Sequence, residues 1–307
     1  MFSKLFNSRA FKRLSEKSNF IQWLYAARQL RWELNAGQYP IYIDYPINPM
    51  PRYGHGNPPH KLLYELLKNN SLKYEETINK FALYREYLCS ISMEQPINSF
   101  EPFWRNGWIG GIEAAALYCF PCLLDSKLYI EIGSGNSTKF VRKAIQQNNL
   151  KTKIVSVDPH PRAEIDSLCD EVLRKPLEDI DITLFNYLNS GDILMIDGSH
   201  RCFQNSDVTV FFLEILPILK PGVLVYIDDI YLPYDYPLKW RCRYYSEQYL
   251  LGTLLLADSG RYEVILPCKF ISNDEYLSSH VDSFWDKIGL PKGIGCGNGF
   301  WFAVKTH

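Results

Sequence analysis

The feature of this sequence that most restricts its fold is a pair of glycines, Gly133 and Gly135, between a strand-like and a helix-like segment. The apolar run Leu128–Ile132 predicts a short buried strand, and Asn136–Asn148 predicts a helix with one apolar face. Glycine between them permits a tight turn and lets a ligand approach the backbone closely. A strand, a glycine turn and a helix in this order are typical of the ligand-binding edge of an open α/β sheet.

From about residue 100 onward, strand-like and helix-like segments alternate, which is the pattern of a parallel sheet with helices on both faces. The further predicted strands are Lys153–Asp158, Glu171–Arg174, Asp192–Asp197, Gly222–Asp229, Tyr262–Leu266 and Gly299–Lys305, the last two as an antiparallel pair. The further predicted helices are Asn205–Leu219 and Arg243–Ala257. We therefore expect an α/β fold, a doubly wound and mainly parallel sheet of seven strands with an antiparallel terminal strand.

The first 100 residues follow a different pattern. Helical spacing occurs in Asn19–Leu34 and in Lys61–Ser92, and the segment between them, Tyr39–His60, contains six prolines. Proline fixes φ and removes a helix hydrogen bond, so this segment is expected to be an extended loop. We therefore expect an N-terminal helical and proline-rich extension over residues 1–100 and the main domain over residues 101–307.

Charge and cysteine content narrow the class of protein. The 33 Lys and Arg residues nearly balance the 34 Asp and Glu residues, so the net charge does not favour binding of nucleic acid. Eight cysteines spread over 307 residues, without zinc-type spacing, indicate free thiols and a reducing, cytoplasmic setting. No apolar run reaches the ~18 residues of a membrane span. The basic first 17 residues suit packing on the protein itself or on a partner, or else peripheral contact with an anionic membrane.

Acidic residues flank the glycine turn on both sides. Asp158 ends the second predicted strand, 23 residues after Gly135, where a carboxylate can accept both hydroxyls of a ribose. A dinucleotide fingerprint would place a third glycine at Thr138. Glu131, two residues before Gly133, is a poor neighbour for a pyrophosphate and a good one for a cationic ligand. The turn and the acid together indicate an adenosine site.

The E-x-G-x-G motif at residues 131–135, followed by Asp158, resembles that of the class I S-adenosylmethionine-dependent methyltransferases. The resemblance covers residues ~100–305. It implies that S-adenosylmethionine is the cofactor, with its methionine end at the glycine turn, its ribose at Asp158 and its adenine near residues 177–178. The implied cofactor residues are Glu131, Gly133, Ser134, Gly135, Ser137, Asp158, Leu177 and Glu178; Ser137 stands where the family usually has a third glycine.

Carboxylates stand at the ends of two apolar predicted strands, Asp192–Asp197 and Gly222–Asp229. Asp197 ends one strand, and Asp228 and Asp229 end the next, so all three are expected on one edge of the sheet. Carboxylate oxygens with open positions suit Mg²⁺, which would lower the pKa of a substrate hydroxyl. The arrangement is similar to metal-dependent O-methyltransferases of the type 24-like group. That resemblance implies Asp197, Asp228 and Asp229 as metal ligands, with Asp197 or His200 as the general base.

Two aromatic segments are candidates for the wall of an acceptor pocket. Ile230–Pro237 follows the predicted metal ligands directly, and Trp104 and Trp108 precede the first predicted strand. Aromatic packing is the favoured interpretation for both segments.

The patterns together predict a methyltransferase that methylates an oxygen of a sugar or other small polyol, with Mg²⁺ assistance or without it. Several sequence segments resemble bacterial methyltransferases that modify surface sugars, which suggests a role in modifying a glycan or a natural product. One alternative is an NAD-dependent oxidoreductase, against which the missing third glycine argues. Another is a non-catalytic, methyltransferase-like binding or assembly subunit. The oligomeric state stays open.

Overall fold

The computed structural model describes residues 44–161, 164–257, 260–291 and 293–305, together with Ala27 and Arg31. These residues form a seven-stranded sheet with the order β3-β2-β1-β4-β5-β7-β6. The strands are β1 Leu128–Ile132, β2 Lys153–Val157, β3 Glu171–Leu173, β4 Ile193–Ile196, β5 Leu224–Ile227, β6 Tyr262–Pro267 and β7 Phe300–Val304.

The pairing of the strands confirms the predicted fold class, a Rossmann-like, mainly parallel sheet of seven strands with antiparallel pairing at its end. Strand β1 lies between β2 and β4 and is parallel to both, and β5 continues the parallel set beyond β4. Strand β7 lies between β5 and β6 and is antiparallel to both. The carboxyl ends of β1, β2, β4 and β5 therefore meet at one edge of the sheet, where open α/β folds bind ligands.

Helices cover both faces of this sheet. They are α1 Lys61–Lys68, α2 Ser71–Phe81, α3 Arg85–Ser90, α4 Gly111–Leu124, α5 Asn136–Asn148, α6 Asp207–Val210, α7 Glu247–Leu256, α8 Cys268–Asn273 and α9 Glu275–Ile288. Strands β4 (Ile-Leu-Met-Ile) and β5 (Leu-Val-Tyr-Ile) are buried at every residue. A strand covered on both faces has no solvated side, which explains why these runs are continuously apolar.

The predicted helix Asn205–Leu219 is less regular than its sequence pattern suggests. Only Asp207–Val210 is α-helical; a π-helical turn, Phe211–Ile215, and a 3-10 turn, Leu216–Ile218, follow it. Pro217 has no backbone N–H to donate to the preceding turn, so the segment cannot end as a regular α-helix.

Two other predicted helices also have different bounds. Lys61–Ser92 divides into α1, α2 and α3, because Asn70 and Tyr84 leave the helical region, at φ −105° and ψ 13° and at φ −103° and ψ 20°. Helix α7 starts at Glu247 rather than at residue 243, because Tyr244 adopts a left-handed conformation with φ 54°. A residue with positive φ cannot belong to a right-handed helix.

Residues 49–307 form one compact unit, and within it α1 and α2 pack near the C-terminal helices. Lys68 at the end of α1 pairs with Asp274 at 2.6 Å, and the rings of Tyr74 and Phe270 lie 6.3 Å apart, edge to face. The division of the chain at residue 100 stays a prediction. The predicted helix Asn19–Leu34 and the basic N-terminus lie outside the described residues, apart from Ala27 and Arg31. None of the helices described is long and apolar enough to cross a membrane.

Candidate active site

A cleft of about 650 Å³ lies at the carboxyl ends of β1, β2 and β4. This volume is typical of a site for one small molecule. Among the predicted cofactor and catalytic residues, those that line the cleft are Gly133, Ser134, Gly135, Ser137, Asp158, Leu177, Glu178 and Asp197. Trp108 also lines it, although 65% of its surface is exposed, whereas Trp104 is buried in the core.

The glycine turn is shaped by a close approach between two strand ends. Gly133 has φ +80°, and a Cβ added there would overlap the backbone carbonyl oxygen of Asp197. Its N–H donates to the carbonyl of Val157 at 3.0 Å, which ties the turn to β2 as well. A Cβ added to Gly135 would meet no heavy atom within 4 Å, because that side of the turn faces open space. Gly133 is therefore required for packing, and Gly135 leaves room for a ligand.

Asp158 is held at the edge of the cleft by two backbone groups. The N–H of Ser134 donates to Oδ2 at 2.8 Å, and the N–H of His160 donates to Oδ1 at 2.7 Å. Each carboxylate oxygen can accept a second hydrogen bond, so both remain able to accept ribose hydroxyls. The Oγ atoms of Ser134 and Ser156 lie 2.7 Å apart and join the turn to β2.

Glu131 does not line the cleft; it is fully buried under the turn. Its carboxyl group accepts hydrogen bonds from the hydroxyls of Tyr129, at 3.1 Å, and of Thr138. Burial raises the pKa of Glu131 to about 7, although hydrogen bonds from Ser137, Thr138 and Tyr129 oppose the shift. The Thr138 hydroxyl oxygen in turn accepts from the N–H of Gly135 at 3.2 Å. Glu131 therefore holds the start of α5 in place from below.

His200 lies at the centre of the acidic cluster beyond β4 and β5. Its Nε2 is 3.2 Å from Oδ1 of Asp197 and 3.6 Å from Oδ2 of Asp229, and its Nδ1 contacts Glu247. Burial alone would lower the pKa of His200, but the carboxylates of Glu247 and Asp197 raise it well above the usual value. The imidazole is thus surrounded by three acids, and its protonated form is stabilised.

Asp228 and Asp229 follow each other in the chain but make different contacts. Oδ1 of Asp228 accepts from the Tyr226 hydroxyl at 3.0 Å and from the N–H of Asp229 at 2.8 Å. Burial and the nearby Asp197 raise the pKa of Asp228 well above its usual value. Asp229 accepts instead from the side-chain amide of Asn298 at 2.7 Å.

The structure brings Asp197 and Asp229 to the same nitrogen, Nε2, of the His200 imidazole, while Asp228 accepts a hydrogen bond from the Tyr226 hydroxyl. Nowhere in the described part of the chain do three or more His, Cys, Asp or Glu side chains form a group that could hold a metal ion. The geometry therefore does not fit the predicted open Mg²⁺ site, since two of the three expected ligands contact His200 and the third accepts from Tyr226.

Three residues of this site were not predicted from the sequence. Glu247 begins α7 and is buried against His200; Asn298 precedes β7 and contacts Asp229. Glu113, in the first turn of α4, accepts from the N–H of Asn298 at 2.7 Å and from that of Gly110 at 3.0 Å. Glu113 and Glu247 each lie in the first turn of a helix. Acidic residues are also favourable in the first turn of an ordinary solvated helix, so this position does not distinguish a functional residue.

One known family model matches the central part of the chain. Residues 130–230 match the family described as "Methyltransferase domain", of type 24. The matched segment runs from β1 through the glycine turn and Asp158 to the acids that follow β5. No match was found among curated proteins.

Solved structures with a similar arrangement are also methyltransferases by their descriptions. One is the SAH-bound methyltransferase PaMTH1 of Podospora anserina, at 15% identity and a TM-score of 0.37, covering 63% of this chain and 78% of that one. A second is the O-methyltransferase TomG of Streptomyces achromogenes, at 15% identity and a TM-score of 0.32, covering 63% and 79%. A third is the plantazolicin methyltransferase BpumL, at 12% identity and a TM-score of 0.38, covering 80% and 100%. The fold assignment rests on the strand order rather than on these similarities.

Proposed function

Because this chain carries a class I S-adenosylmethionine-dependent methyltransferase domain, we propose that it methylates an oxygen of a small hydroxylated acceptor, such as a sugar or polyol. The observation that carries the proposal is the position of Asp197. Its backbone adjoins the glycine turn at Gly133, the residue lines the cleft, and its carboxylate contacts His200. One residue thus joins the proposed cofactor site to the acidic cluster.

The cleft has the groups that S-adenosylmethionine needs. Asp158 offers carboxylate oxygens for ribose hydroxyls, and the open side of Gly135 accommodates a ligand against the backbone. We assign the methionine end to the turn at Gly133–Gly135, with Ser137 nearby, and the adenine to Leu177 and Glu178. Glu131 supports the turn from beneath rather than touching the ligand.

When bound, S-adenosylmethionine supplies the methyl group, which leaves its sulfur as the acceptor oxygen bonds to the methyl carbon. We assign removal of the acceptor hydroxyl proton to Asp197, because Asp197 lines the cleft and His200 does not. His200 acts as a positioning residue: its Nε2 contacts Asp197, and Glu247 fixes the other ring nitrogen. A base held in one orientation favours proton transfer.

The polar residues of the loop after β4 favour a hydroxylated acceptor. Ser199, Gln204, Asn205 and Ser206 line the cleft beside Asp197. The amide groups of Gln204 and Asn205 can donate to and accept from a polyol, whereas the Ser199 hydroxyl already donates to Asp207 at 2.5 Å. The methyltransferase match does not favour the NAD-dependent oxidoreductase alternative. The cytoplasmic location and the contact made by the basic N-terminus stay predictions.

We propose a reaction in which the residues of this site act without Mg²⁺. Asp197 and Asp229 both contact Nε2 of His200, and Asp228 accepts from the hydroxyl of Tyr226. The charge opposite the carboxylates is therefore assigned to the His200 imidazolium.

The first experiment is a calorimetric titration of the full chain with S-adenosylmethionine, S-adenosylhomocysteine and NAD in turn. We expect micromolar binding of the first two and none of NAD. Production of S-adenosylhomocysteine with a panel of neutral and charged sugars and phenols then tests the acceptor class. Binding of NAD with no response to the methyl donor would contradict the proposal.

A further inference from the structure

Four aromatic residues form a cluster beside the reaction centre, which we name the aromatic platform: Tyr231, Tyr236, Trp240 and Tyr245. The ring of Trp240 lies 5.3 Å from that of Tyr231 and 5.6 Å from that of Tyr245. Tyr245 also packs against the ring of His200, with centroids 4.4 Å apart. The platform therefore reaches from the surface to the imidazole that contacts Asp197.

Two arginines lie on this platform. The guanidinium of Arg243 is 4.3 Å from the centroid of Trp240 and 5.5 Å from that of Tyr245. The guanidinium of Arg201 is 5.2 Å from the centroid of the same Tyr245. Its Nε donates to the backbone carbonyl of Arg243 at 2.8 Å, and one terminal nitrogen donates to that of Ser199, a cleft residue, at 3.0 Å.

The two guanidinium groups are positioned but not neutralised by direct contact. Neither belongs to any of the salt bridges formed within the described part of the chain. Two like charges on one ring repel each other, and a bound anion would relieve that repulsion. Guanidinium groups hold carboxylate and phosphate oxygens through paired N–H donors, and stacking on aromatic rings restricts them in advance.

The positive charge also acts on the reaction centre itself. Arg243 opposes the rise in pKa that burial imposes on Asp229 and on Tyr231. Arg201 is also tied to this centre, because it donates to the carbonyl of Ser199, which lines the cleft with Asp197.

We propose that the acceptor carries an anionic group, a carboxylate or a phosphate, which Arg201 and Arg243 bind while the hydroxyl to be methylated lies at Asp197. This rests on the proposed function and narrows its substrate class to acidic or phosphorylated sugars. The competing role for both arginines is internal, to balance the acids around His200.

The test compares binding of three sugars of similar shape to the full chain saturated with S-adenosylhomocysteine. The probes are methyl α-D-glucopyranoside, D-glucuronate and D-glucose 6-phosphate, each titrated by calorimetry. The variant is Arg201→Gln with Arg243→Gln. The matched control is Lys239→Gln with Arg241→Gln, which removes the same charge from exposed residues of the 238–243 turn. Melting temperatures verify that all three proteins are folded.

We expect at least one anionic sugar to bind about tenfold more tightly than the neutral one, corresponding to one charge-assisted contact. This preference should vanish in the Arg201/Arg243 variant and persist in the control. Which anion is preferred distinguishes a carboxylate acceptor from a phosphate acceptor. Equal affinity for all three sugars, no binding of any, or the same loss in the control would overturn the inference and leave the arginines a charge-balancing role. Failure of S-adenosylhomocysteine itself to bind would instead refute the proposed function.

Discussion

Gly133 and Asp197, at the ends of neighbouring strands, are in such close backbone contact that no side chain fits at residue 133. An added Cβ would overlap the carbonyl oxygen of Asp197, and the N–H of Asp197 donates to Ile132 at 2.8 Å. The proposed cofactor turn and the proposed catalytic acid thus share one wall of the cleft. A change at either residue is expected to disturb the other.

Gly133→Ala should lower both stability and cofactor affinity. The substitution combines positive φ with a clash against backbone, which we expect to cost about 2 kcal/mol or more in the free energy of unfolding. Gly135→Ala is the matched control, because its Cβ meets no atom within 4 Å; it should unfold like the wild type and lose only cofactor affinity. Urea unfolding and calorimetry with S-adenosylhomocysteine measure the two effects. Equal unfolding energies for both variants would contradict this account of the turn.

Asp158→Asn should weaken S-adenosylhomocysteine binding by roughly tenfold to a hundredfold, since it replaces charge-assisted acceptors with a neutral amide. The affinity for NAD should remain undetectable. The control is Asp166→Asn, a surface acid paired with Arg174. Unchanged affinity in Asp158→Asn would remove Asp158 from the cofactor site.

Asp197→Asn should lower kcat by about 10²- to 10⁴-fold, the usual contribution of a positioned base. The affinity for S-adenosylhomocysteine should change less than about threefold, because the Asp197 backbone, not its side chain, adjoins Gly133. Asp125→Asn, an exposed acid at the end of α4, serves as the control. A variant with full kcat would show that Asp197 is not the base.

Stability should fall as the pH rises from 4.5 to about 7, in part because of Glu131. Burial raises the pKa of Glu131 from 4.5 to about 7, so in this range the folded protein keeps a proton that the unfolded chain releases. The free energy of unfolding then decreases with increasing pH. Glu131→Gln should reduce this decrease, and the exposed Glu214→Gln should not. Parallel pH profiles for Glu131→Gln and the wild type would contradict the assignment.

Removal of divalent metal should leave turnover unchanged. Since Asp197 and Asp229 both contact Nε2 of His200, we expect the same initial rate after dialysis against EDTA and after addition of Mg²⁺. A rate that disappears on chelation and returns with Mg²⁺, but not in the Asp228→Asn/Asp229→Asn variant, would show that the three acids rearrange to bind a metal.

The central strands could be predicted closely from local pattern. The apolar runs that became β1, β4 and β5 are bounded by turns and acids, and their burial on both faces requires such runs. The glycine turn and Asp158 were predictable for a related reason, because a parallel sheet places all its carboxyl strand ends at one edge. Bounds of helices were predicted less well, since Tyr244 and Asn70 leave the helical region where the apolar period continues unbroken.

The sequence by itself determined the sheet, the turn and which acids stand at its edge, because each follows from local periodicity and one rule of topology. Only the tertiary structure decided what those acids do. Glu247 reaches His200 across 47 residues, and Asn298 reaches Asp229 across 69. An apolar pattern predicts that a residue is buried, but it does not predict which residues it contacts. The choice between a metal and an imidazolium at this edge depends on those long-range contacts, and so do the charge and orientation of every group in the site.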